Sequence, residues 1–364
     1  MAAVLHTRLH TSRTRPAHVA RLAAMADLEE FVRSMPKCEL HLHIEGTLEP
    51  ELKFRLAERN GVELPYRTVE EARAAYDFHD LTSFLVGYYQ GMSVLVTEPD
   101  FYELAYAYFE RAAAEGVEHA EIFFDPQGHT SRGVEFATVI RGLRRAQLDA
   151  WRVLGLHSQL IMCFLRDFQA EYAMATLLES LPYKDWITGV GLDSDERGNP
   201  PAKFAAVFAR ARAEGYLLTM HCDVDQENSV EHIRQCLEDI GVDRIDHGVN
   251  ILEDPALVAE VKRRGLGLTV CPVSNRFVTD GTKAAELKRL LDAGVRVTVN
   301  SDDPAYFTAY VTDNLLTVRR ELDLDRAQLV RLQRNAIEAS WAPPAVRRAF
   351  LDKLDKLDEL TGTS

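Results

Sequence analysis

Residues 188–223, TGVGLDSDERGNPPAKFAAVFARARAEGYLLTMHCD, contain the pattern that decides the fold. Short apolar stretches at Thr188–Ser194 and Leu217–Asp223 flank Pro201–Gly215, whose apolar residues follow a helical period. A strand, a helix and a second strand in this order are typical of a βα unit in a parallel sheet. The same alternation recurs along the chain.

Eight strand-like stretches recur from Pro36 onward, separated mostly by amphipathic helical stretches. They are Cys38–Ile44, His119–Asp125, Ser158–Leu165, Thr188–Ser194, Leu217–Asp223, Arg244–Val249, Gly267–Ser274 and Val295–Asp303. Eight βα units predict an α/β protein with a closed (β/α)8 TIM barrel. A chain of 364 residues suits that fold, because such barrels span roughly 200 to more than 400 residues.

Two further segments depart from the simple repeat. The interval between the first and second strands is too long for one crossover and contains helical patterns at Leu52–Asn60 and Asp100–Glu115. We expect a helical insertion there, over the barrel mouth. Beyond the eighth strand, Asp325–Ala339 and Ala345–Leu360 predict two C-terminal helices.

The first 26 residues are unlike the rest, with four arginines and three histidines and no acidic residue before Asp27. This composition indicates a disordered tail or an over-called start with Met25 as the initiator; an organellar targeting segment is the alternative. We expect removal of the residues before Met25 to leave activity intact. Residues 27–364 are expected to form one domain.

Charge and cysteine usage limit the class of partner. The chain has 42 Lys+Arg and 56 Asp+Glu, a formal net charge of −14, which argues against binding nucleic acid or an anionic membrane. Five scattered cysteines without a CxxC pair indicate neither a disulfide framework nor a zinc ribbon. No apolar run reaches the roughly 18 residues of a bilayer span. A cytoplasmic protein with a small, uncharged or cationic substrate is expected.

Polar residues follow the predicted strands at their carboxyl ends, where barrel enzymes carry their chemistry. His41 and His43 share one face of the first strand because side chains alternate with a period of two. Two core histidines with satisfied hydrogen bonds would give the same HxH pattern. Three imidazoles and one carboxylate at equivalent strand ends instead indicate a site for one divalent metal ion, with room for a water. The predicted ligands are His41, His43, His221 and Asp302.

His247, at the end of the sixth strand, is the predicted base that holds and deprotonates the water, since imidazole titrates near neutral pH. A fifth metal ligand or a core histidine is the alternative. Asp303 could accept a hydrogen bond from a substrate N–H, or cap a helix that starts at Pro304. The sequence contains no GxSxG, GxGxxG, GxxxxGK[ST] or HExxH motif.

Several stretches resemble the adenosine/adenine deaminases of the metal-dependent amidohydrolases, over about residues 36–344. The shared motifs are MPKCELHLHIEGTLE at 35–49, RIDHG at 244–248, TVCPVSN at 269–275 and TVNSDDP at 298–304. The adenine deaminase branch is the more similar one, on EIFFDPQ at 121–127, CFLR at 163–166 and DDPAYF at 302–307.

The resemblance implies a zinc-type ion on the four predicted ligands and His247 orienting its hydroxide toward purine C6. It also implies that Asp303 binds N7 and that the backbone N–H of Gly191 binds N3. Glu45 occupies the position of a ribose-binding carboxylate in the nucleoside enzymes. Here we expect Glu45 to narrow the pocket against ribose, which favours the free base adenine, deaminated to hypoxanthine and ammonia.

One departure concerns the acid that protonates the purine ring. The family pattern places a Glu three residues after the fifth-strand histidine, where this chain has Val224 in the run HCDVDQE at 221–227. Asp225 is the first candidate for its replacement, followed by Asp223 and then Glu227. A carboxyl in this role must be held protonated. Adenosine, an N6-substituted adenine, or purine binding without turnover are the alternatives to adenine deamination.

Overall fold

The computed structural model describes residues 27–222, 224–279 and 281–361. The expectations for residues 1–26 therefore lie outside the described residues. Eight strands form one parallel sheet in the order β1-β2-β3-β4-β5-β6-β7-β8. Their bounds are β1 Lys37–His43, β2 Val117–Phe124, β3 His157–Leu165, β4 Gly189–Asp193, β5 Leu217–Cys222, β6 Arg244–His247, β7 Gly267–Val270 and β8 Arg296–Val299.

The end of β8 returns to β1 through the residues that follow it. The backbone N–H of His43 donates to the carbonyl of Asp302 at 2.9 Å, and the N–H of Asp302 donates to the carbonyl of His41 at 3.1 Å. The side chain of Asn300 accepts from the N–H of Leu40 at 2.9 Å. These bonds bring the two edges of the sheet together, and the predicted (β/α)8 barrel is confirmed.

Helices surround the barrel. The first covers residues 27–34 (α1). The others are α2 Pro50–Asn60, α3 Val69–Ala74, α4 Leu81–Gly91, α5 Glu98–Ala114, α6 Pro126–Thr130, α7 Phe136–Leu154, α8 Ala170–Ser180, α9 Ala205–Glu214, α10 Ser229–Arg234, α11 Pro255–Arg264, α12 Pro272–Val278, α13 Ala284–Asp292, α14 Val311–Leu322, α15 Arg326–Ala339 and α16 Pro344–Thr361. Within the described residues, no helix is both long and apolar enough to cross a bilayer.

Helices α2 to α5 form the insertion predicted between β1 and β2. Gly61 ends α2 in the left-handed conformation, with φ of 64°, which a residue without Cβ adopts at little cost. Helix α4 packs its aromatic face on the segment after β8, where Phe84 and Tyr88 share a buried cluster with Tyr306 and Phe307. The insertion therefore covers the carboxyl ends of the strands.

Three residues at the ends of strands adopt the left-handed conformation although none is glycine. They are Ser194 (φ 75°) after β4, His247 (φ 59°) at the end of β6 and Asp302 (φ 66°) after β8. This backbone region is costly for residues with a side chain, and such residues cluster at functional sites. All three line the same pocket.

Candidate active site

The pocket lies at the carboxyl ends of the strands, beneath the aromatic side chains of α4. Its apolar wall includes Phe84, Leu85, Val224 and Phe307. The polar and ionisable side chains that line it are His43, Tyr88, Tyr89, Asp125, Asp193, Ser194, His221, His247, Ser274, Asn275, Asp302 and Asp303. An apolar pocket with a few convergent polar groups is typical of a small-molecule site.

The four predicted metal ligands converge, and three of them, His43, His221 and Asp302, line this pocket. Nε2 of His221 lies 3.1 Å from Nε2 of His41 and 3.1 Å from Nε2 of His43. Oδ1 of Asp302 lies 3.1 Å from Nε2 of His41 and 3.4 Å from Nε2 of His43. Donors that each lie 2.0–2.1 Å from one ion would be about 3.0–3.4 Å apart. The spacing therefore fits a single divalent metal ion.

The protonation states of these groups suit metal ligation, which needs neutral imidazoles and an ionised carboxylate. Burial lowers the pKa of His41 and of His43. Burial, together with the neighbouring imidazoles, lowers the pKa of His221 well below its usual range. Although burial opposes ionisation, the neighbouring His41, His247 and His43 hold the pKa of Asp302 well below its usual range.

A second layer of polar groups fixes the tautomer of His41. The hydroxyl of Thr269 donates to Oδ1 of Asp246 at 3.1 Å. The Thr269 oxygen can therefore accept from Nδ1–H of His41, 2.8 Å away, which leaves the Nε2 lone pair for an ion. The other oxygen of Asp246 accepts from the Thr219 hydroxyl at 2.6 Å and lies 3.7 Å from Nδ1 of His221. Asp246 thus lies on the Nδ1 side of two predicted ligands, His41 and His221.

His247 lies beside the four ligands. Its ring centroid is 4.7 Å from that of His41 and 5.3 Å from that of His221. Its Nε2 is 3.9 Å from Oδ2 of Asp302, farther than the 3.1–3.4 Å distances given above. His247 also lies within 4.8 Å of His41, His221 and Asp302 as a possible ligand, which is the alternative to its role as the base. A water held in this group would be within reach of the His247 imidazole.

Asp303 is buried in the pocket wall beside Asp302. Burial and the charge of Asp302 raise the pKa of Asp303 well above its usual range. The residues after Asp303 form turns, and the next helix, α14, begins at Val311. The alternative of a helix cap at Asp303 therefore does not apply. A Cβ on Gly46 would lie 2.1 Å from Oδ1 of Asp303, so this glycine provides the space for the carboxyl group.

Glu45 does not line the pocket but lies behind it. Its Oε1 accepts from the backbone N–H of Asp125 at 3.1 Å and from Nε2 of His129 at 2.9 Å. Arg132 in turn donates to Nδ1 of His129 at 2.8 Å. Glu45 thus holds the residue that follows β2, and its link to the pocket is through Asp125. That Glu45 narrows the pocket against ribose stays a prediction.

Gly191 also lies away from the pocket lining, inside β4. A Cβ at this position would lie 2.6 Å from Sγ of Cys163 on β3, so the glycine serves close strand packing. The residues that reach the pocket from this strand are Asp193 and Ser194. The structure therefore does not bring Gly191 to the position that the resemblance implies.

The three candidates for the ring-protonating acid are treated differently by the structure. Asp225 is exposed, forms an ion pair with Lys283 and accepts from Nδ2 of Asn250 at 3.2 Å. Glu227 is also exposed, in a surface depression beside Arg197. Neither lines the pocket, whereas buried Val224 does. Asp223 lies outside the described residues.

Two acidic residues outside the predicted site, Asp125 and Asp193, complete the pocket. Asp125 follows β2 and is 1% exposed, and Asp193 ends β4 and is 3% exposed. One strand, β3, lies between β2 and β4 in the sheet. Their signal in the sequence is the strand-end motifs FFDP and GLDS. Tyr88 and Tyr89 of α4 reach the same wall: Tyr88 donates to Oδ2 of Asp125 at 3.2 Å and Tyr89 to Oγ of Ser194 at 2.8 Å.

A (β/α)8 barrel with three histidines and an aspartate converging at its carboxyl-terminal face defines a metal-dependent barrel enzyme. The family model described as adenosine deaminase matches residues 36–357. The chain belongs to the adenosine deaminase family.

Relatives and solved structures agree with this assignment. The chain is 54% identical to an adenine deaminase of Rhodospirillum rubrum, over 86% of this chain and 94% of the relative. It is 48% identical to an adenine deaminase of Acinetobacter baylyi, over 90% and 99%. The crystal structure of an adenine deaminase from Arthrobacter aurescens superposes with a TM-score of 0.86 at 43% identity, covering 90% of this chain and all of that one. An amidohydrolase from Burkholderia ambifaria, solved with bound Zn, gives a TM-score of 0.82 at 26% identity, covering 92% and 95%.

Proposed function

We propose that this protein hydrolyses adenine to hypoxanthine and ammonia. The observation that carries the proposal is the donor set of His41, His43, His221 and Asp302, at 3.1–3.4 Å spacings, in a chain about 50% identical to several adenine deaminases over most of their length. In this reaction water adds to C6 of the purine, the C6–N6 bond breaks, and the amino group leaves as ammonia. Adenosine and N6-substituted adenines are not favoured by these relatives.

The proposed ligands of a single zinc ion are His41, His43, His221 and Asp302. The donor spacing supports this set, and the bound Zn in the Burkholderia ambifaria amidohydrolase supports the choice of metal. When bound, such an ion lowers the pKa of a coordinated water to about 7. The chain contributes the orientation of the ligands, through Thr269 and Asp246.

His247 and Asp303 are the proposed groups that act on water and base. His247 would hold the attacking water on one side of C6 and accept its proton, because its imidazole lies beside the four ligands. Asp303 would hydrogen-bond the purine at N7, because its buried carboxyl faces the same pocket. The raised pKa of Asp303, caused by burial and by Asp302, keeps a proton available for that nitrogen.

We infer that Asp223 supplies the proton to the purine ring. Its two chain neighbours are buried, with Cys222 ending β5 and Val224 lining the pocket. The competing carboxyl of Asp225 is exposed and paired with Lys283. An exposed, ion-paired carboxylate is a poor proton donor at neutral pH.

The test is a comparison of kcat/KM for adenine, adenosine and N6-methyladenine, with the purine product and ammonia both quantified. We expect hypoxanthine and ammonia in equal amounts from adenine, and kcat/KM for adenine at least about tenfold above that for the other two, which is about 1.4 kcal/mol of transition-state stabilisation. A tenfold preference for the nucleoside, or no product from any of the three with metal bound, would refute the proposal.

A further inference from the structure

Two buried carboxyl groups in the pocket have no role in the chemistry described so far. Oδ1 of Asp125 and both carboxyl oxygens of Asp193 accept no hydrogen bond from an N–H or hydroxyl group of the described residues; the partners of Asp193 are the carboxyl of Asp125 and the thiol of Cys163. Oxygens of these two residues lie within 4.8 Å of each other and of a ring nitrogen of His43. Buried carboxyl groups that have only each other and a weakly donating thiol as partners remain poorly satisfied, so the pair indicates a ligand that brings an N–H or O–H donor.

The position of the pair relative to the metal ligands suggests which part of a purine it meets. His43 separates the two groups: its Nε2 faces His221 and Asp302, while its Nδ1 lies 3.5 Å from Oδ2 of Asp193. The imidazole ring of His43 therefore lies between the carboxyl pair and the predicted metal ligands, where C6 of the purine would react. In a purine, C6 and N9 lie on different rings of the fused pair, so a base with C6 at the ligands can direct its five-membered ring toward Asp125 and Asp193.

The carboxyl of Asp125 is held in place on two sides. The hydroxyl of Tyr88 donates to its Oδ2 at 3.2 Å, and its backbone N–H is bound by Glu45, which His129 supports. On the neighbouring wall, Tyr89 donates to Ser194, the residue after Asp193. A fixed acceptor of this kind discriminates between ligands better than a mobile one.

We infer that Asp125 and Asp193 accept the N9–H of the free purine base and so exclude its nucleoside. The inference rests on the proposed function and adds the residues that select the base. Only the free base carries a hydrogen at N9, because the sugar occupies this atom in a nucleoside. A substituted N9 would leave the two buried carboxyl groups without an N–H donor, and sites built to hydrogen-bond a donor reject analogues that lack it.

The experiment measures binding of the product purine, so that it does not depend on turnover. The metal-loaded full-length protein is titrated calorimetrically with hypoxanthine and with 9-methylhypoxanthine, which differ in the hydrogen at N9. The wild type is compared with Asp125→Ala and Asp193→Ala. The matched control is Asp292→Ala, whose carboxyl is 56% exposed and pairs with Lys288 at the surface. Metal content and melting temperature are recorded for each protein, together with ammonia release from adenine.

The wild type and the control should bind hypoxanthine at least 100-fold more tightly than its 9-methyl derivative, and this ratio should fall below tenfold in both pocket variants. If the wild type binds hypoxanthine and 9-methylhypoxanthine with equal affinity, the inference is wrong whatever the variants do. An affinity ratio that stays at the wild-type value in folded, metal-loaded Asp125→Ala and Asp193→Ala would also overturn it. The predicted ratios in a protein that releases no ammonia from adenine would still support the acceptor pair and would overturn only the proposed function.

Discussion

The hydrogen bond between His41 and Thr269 shows how single residues prepare the site. Thr269 has one hydroxyl hydrogen and gives it to Asp246, so its oxygen is left to accept from His41. Asp246 therefore determines which nitrogen of His41 is free, although it does not line the pocket. It is a positioning residue.

Replacement of Asp246 by Asn should weaken metal binding about 10–100-fold, because partners of metal-bound histidines have effects of this size. The amide can donate to Thr269 and reverse the hydrogen bond that orients His41. Chelator competition measures the affinity, and Asp239→Asn, at an exposed position in the segment before β6, is the control. Equal affinities in the two variants would remove Asp246 from this role.

The assignment of the ring-protonating acid gives a second prediction at this scale. Asp223→Asn should lower kcat by at least about 100-fold, the lower limit of a typical general-acid contribution. Asp225→Asn should change kcat less than threefold, because its carboxyl is exposed and paired with Lys283. Steady-state rates with adenine, at matched metal content, measure both. A large loss in Asp225→Asn alone would restore that residue as the acid.

At the scale of the elements, the insertion and the barrel depend on close helix contacts. Helices α5 and α7 cross at Gly142, where a Cβ would lie 2.5 Å from the carbonyl oxygen of Glu98 and 2.7 Å from Cβ of Phe101. A backbone oxygen cannot rotate away as a side chain can. The glycine therefore sets the distance between the two helices.

Gly142→Ala should lower the free energy of unfolding by about 1–3 kcal/mol, the usual cost of overpacking. Gly87→Ala in α4 is the control, since its Cβ would meet only Phe78 at 3.4 Å; it should be neutral or stabilising by up to about 1 kcal/mol. Urea denaturation of both variants measures the difference. If Gly142→Ala unfolds at the wild-type urea midpoint, the extra methyl group fits between α5 and α7, and the close contact at Gly142 does not set their distance.

The elements were largely predictable from the sequence, and their ends less so. All eight strands begin within two residues of the predicted starts, because apolar stretches mark the buried part of a parallel strand. The stretches predicted to end at Ser274 and Asp303 extend too far. Pro272 begins helix α12 directly after β7, and the residues after β8 contact β1 through an isolated bridge to Leu42.

The site was predictable where a residue belongs to a strand end. His43, His221, His247 and Asp302 meet in the pocket, and the buried His41 contacts His221 and Asp302. The pairing of Asp125 with Asp193 was not predictable, because the two residues meet only through the curvature of the barrel. The direction of the Glu45 side chain depends on the placement of His129 in α6, which no local pattern specifies.

For the whole molecule, a row of polar side chains connects the amino-terminal end of the barrel strands to the predicted metal ligands at their carboxyl ends. Nδ1 of His157 lies 2.9 Å from Nδ1 of His119, whose Nε2 is 3.2 Å from Glu121. Glu121 pairs with Arg244, and Nε of Arg244 lies 3.5 Å from Asp246. This row of side chains crosses the barrel interior, so a change in the protonation of one of them affects the stability of the entire fold.

This arrangement predicts a loss of stability in acid. Burial and the neighbouring His119 lower the pKa of His157 to about 4, whereas the unfolded chain titrates near 6.5. Between these values the unfolded state binds more protons, so this contribution to stability is complete above about pH 6.5 and is lost as the pH falls toward 4. Urea midpoints at pH 7 and pH 5 should therefore differ less in His157→Gln than in the wild type. The exposed His79→Gln should behave as the wild type, and identical pH dependence in all three proteins would contradict the prediction.

The most direct test of a metal-dependent adenine deaminase at this site is metal content and hypoxanthine formation, measured on the same preparations of wild type, His41→Ala and His247→Ala. The account predicts one equivalent of metal and turnover of adenine in the wild type, retained metal with kcat lower by several orders of magnitude in His247→Ala, and loss of both in His41→Ala. Full loss of metal in both variants, or adenine turnover by metal-free His41→Ala, would contradict it.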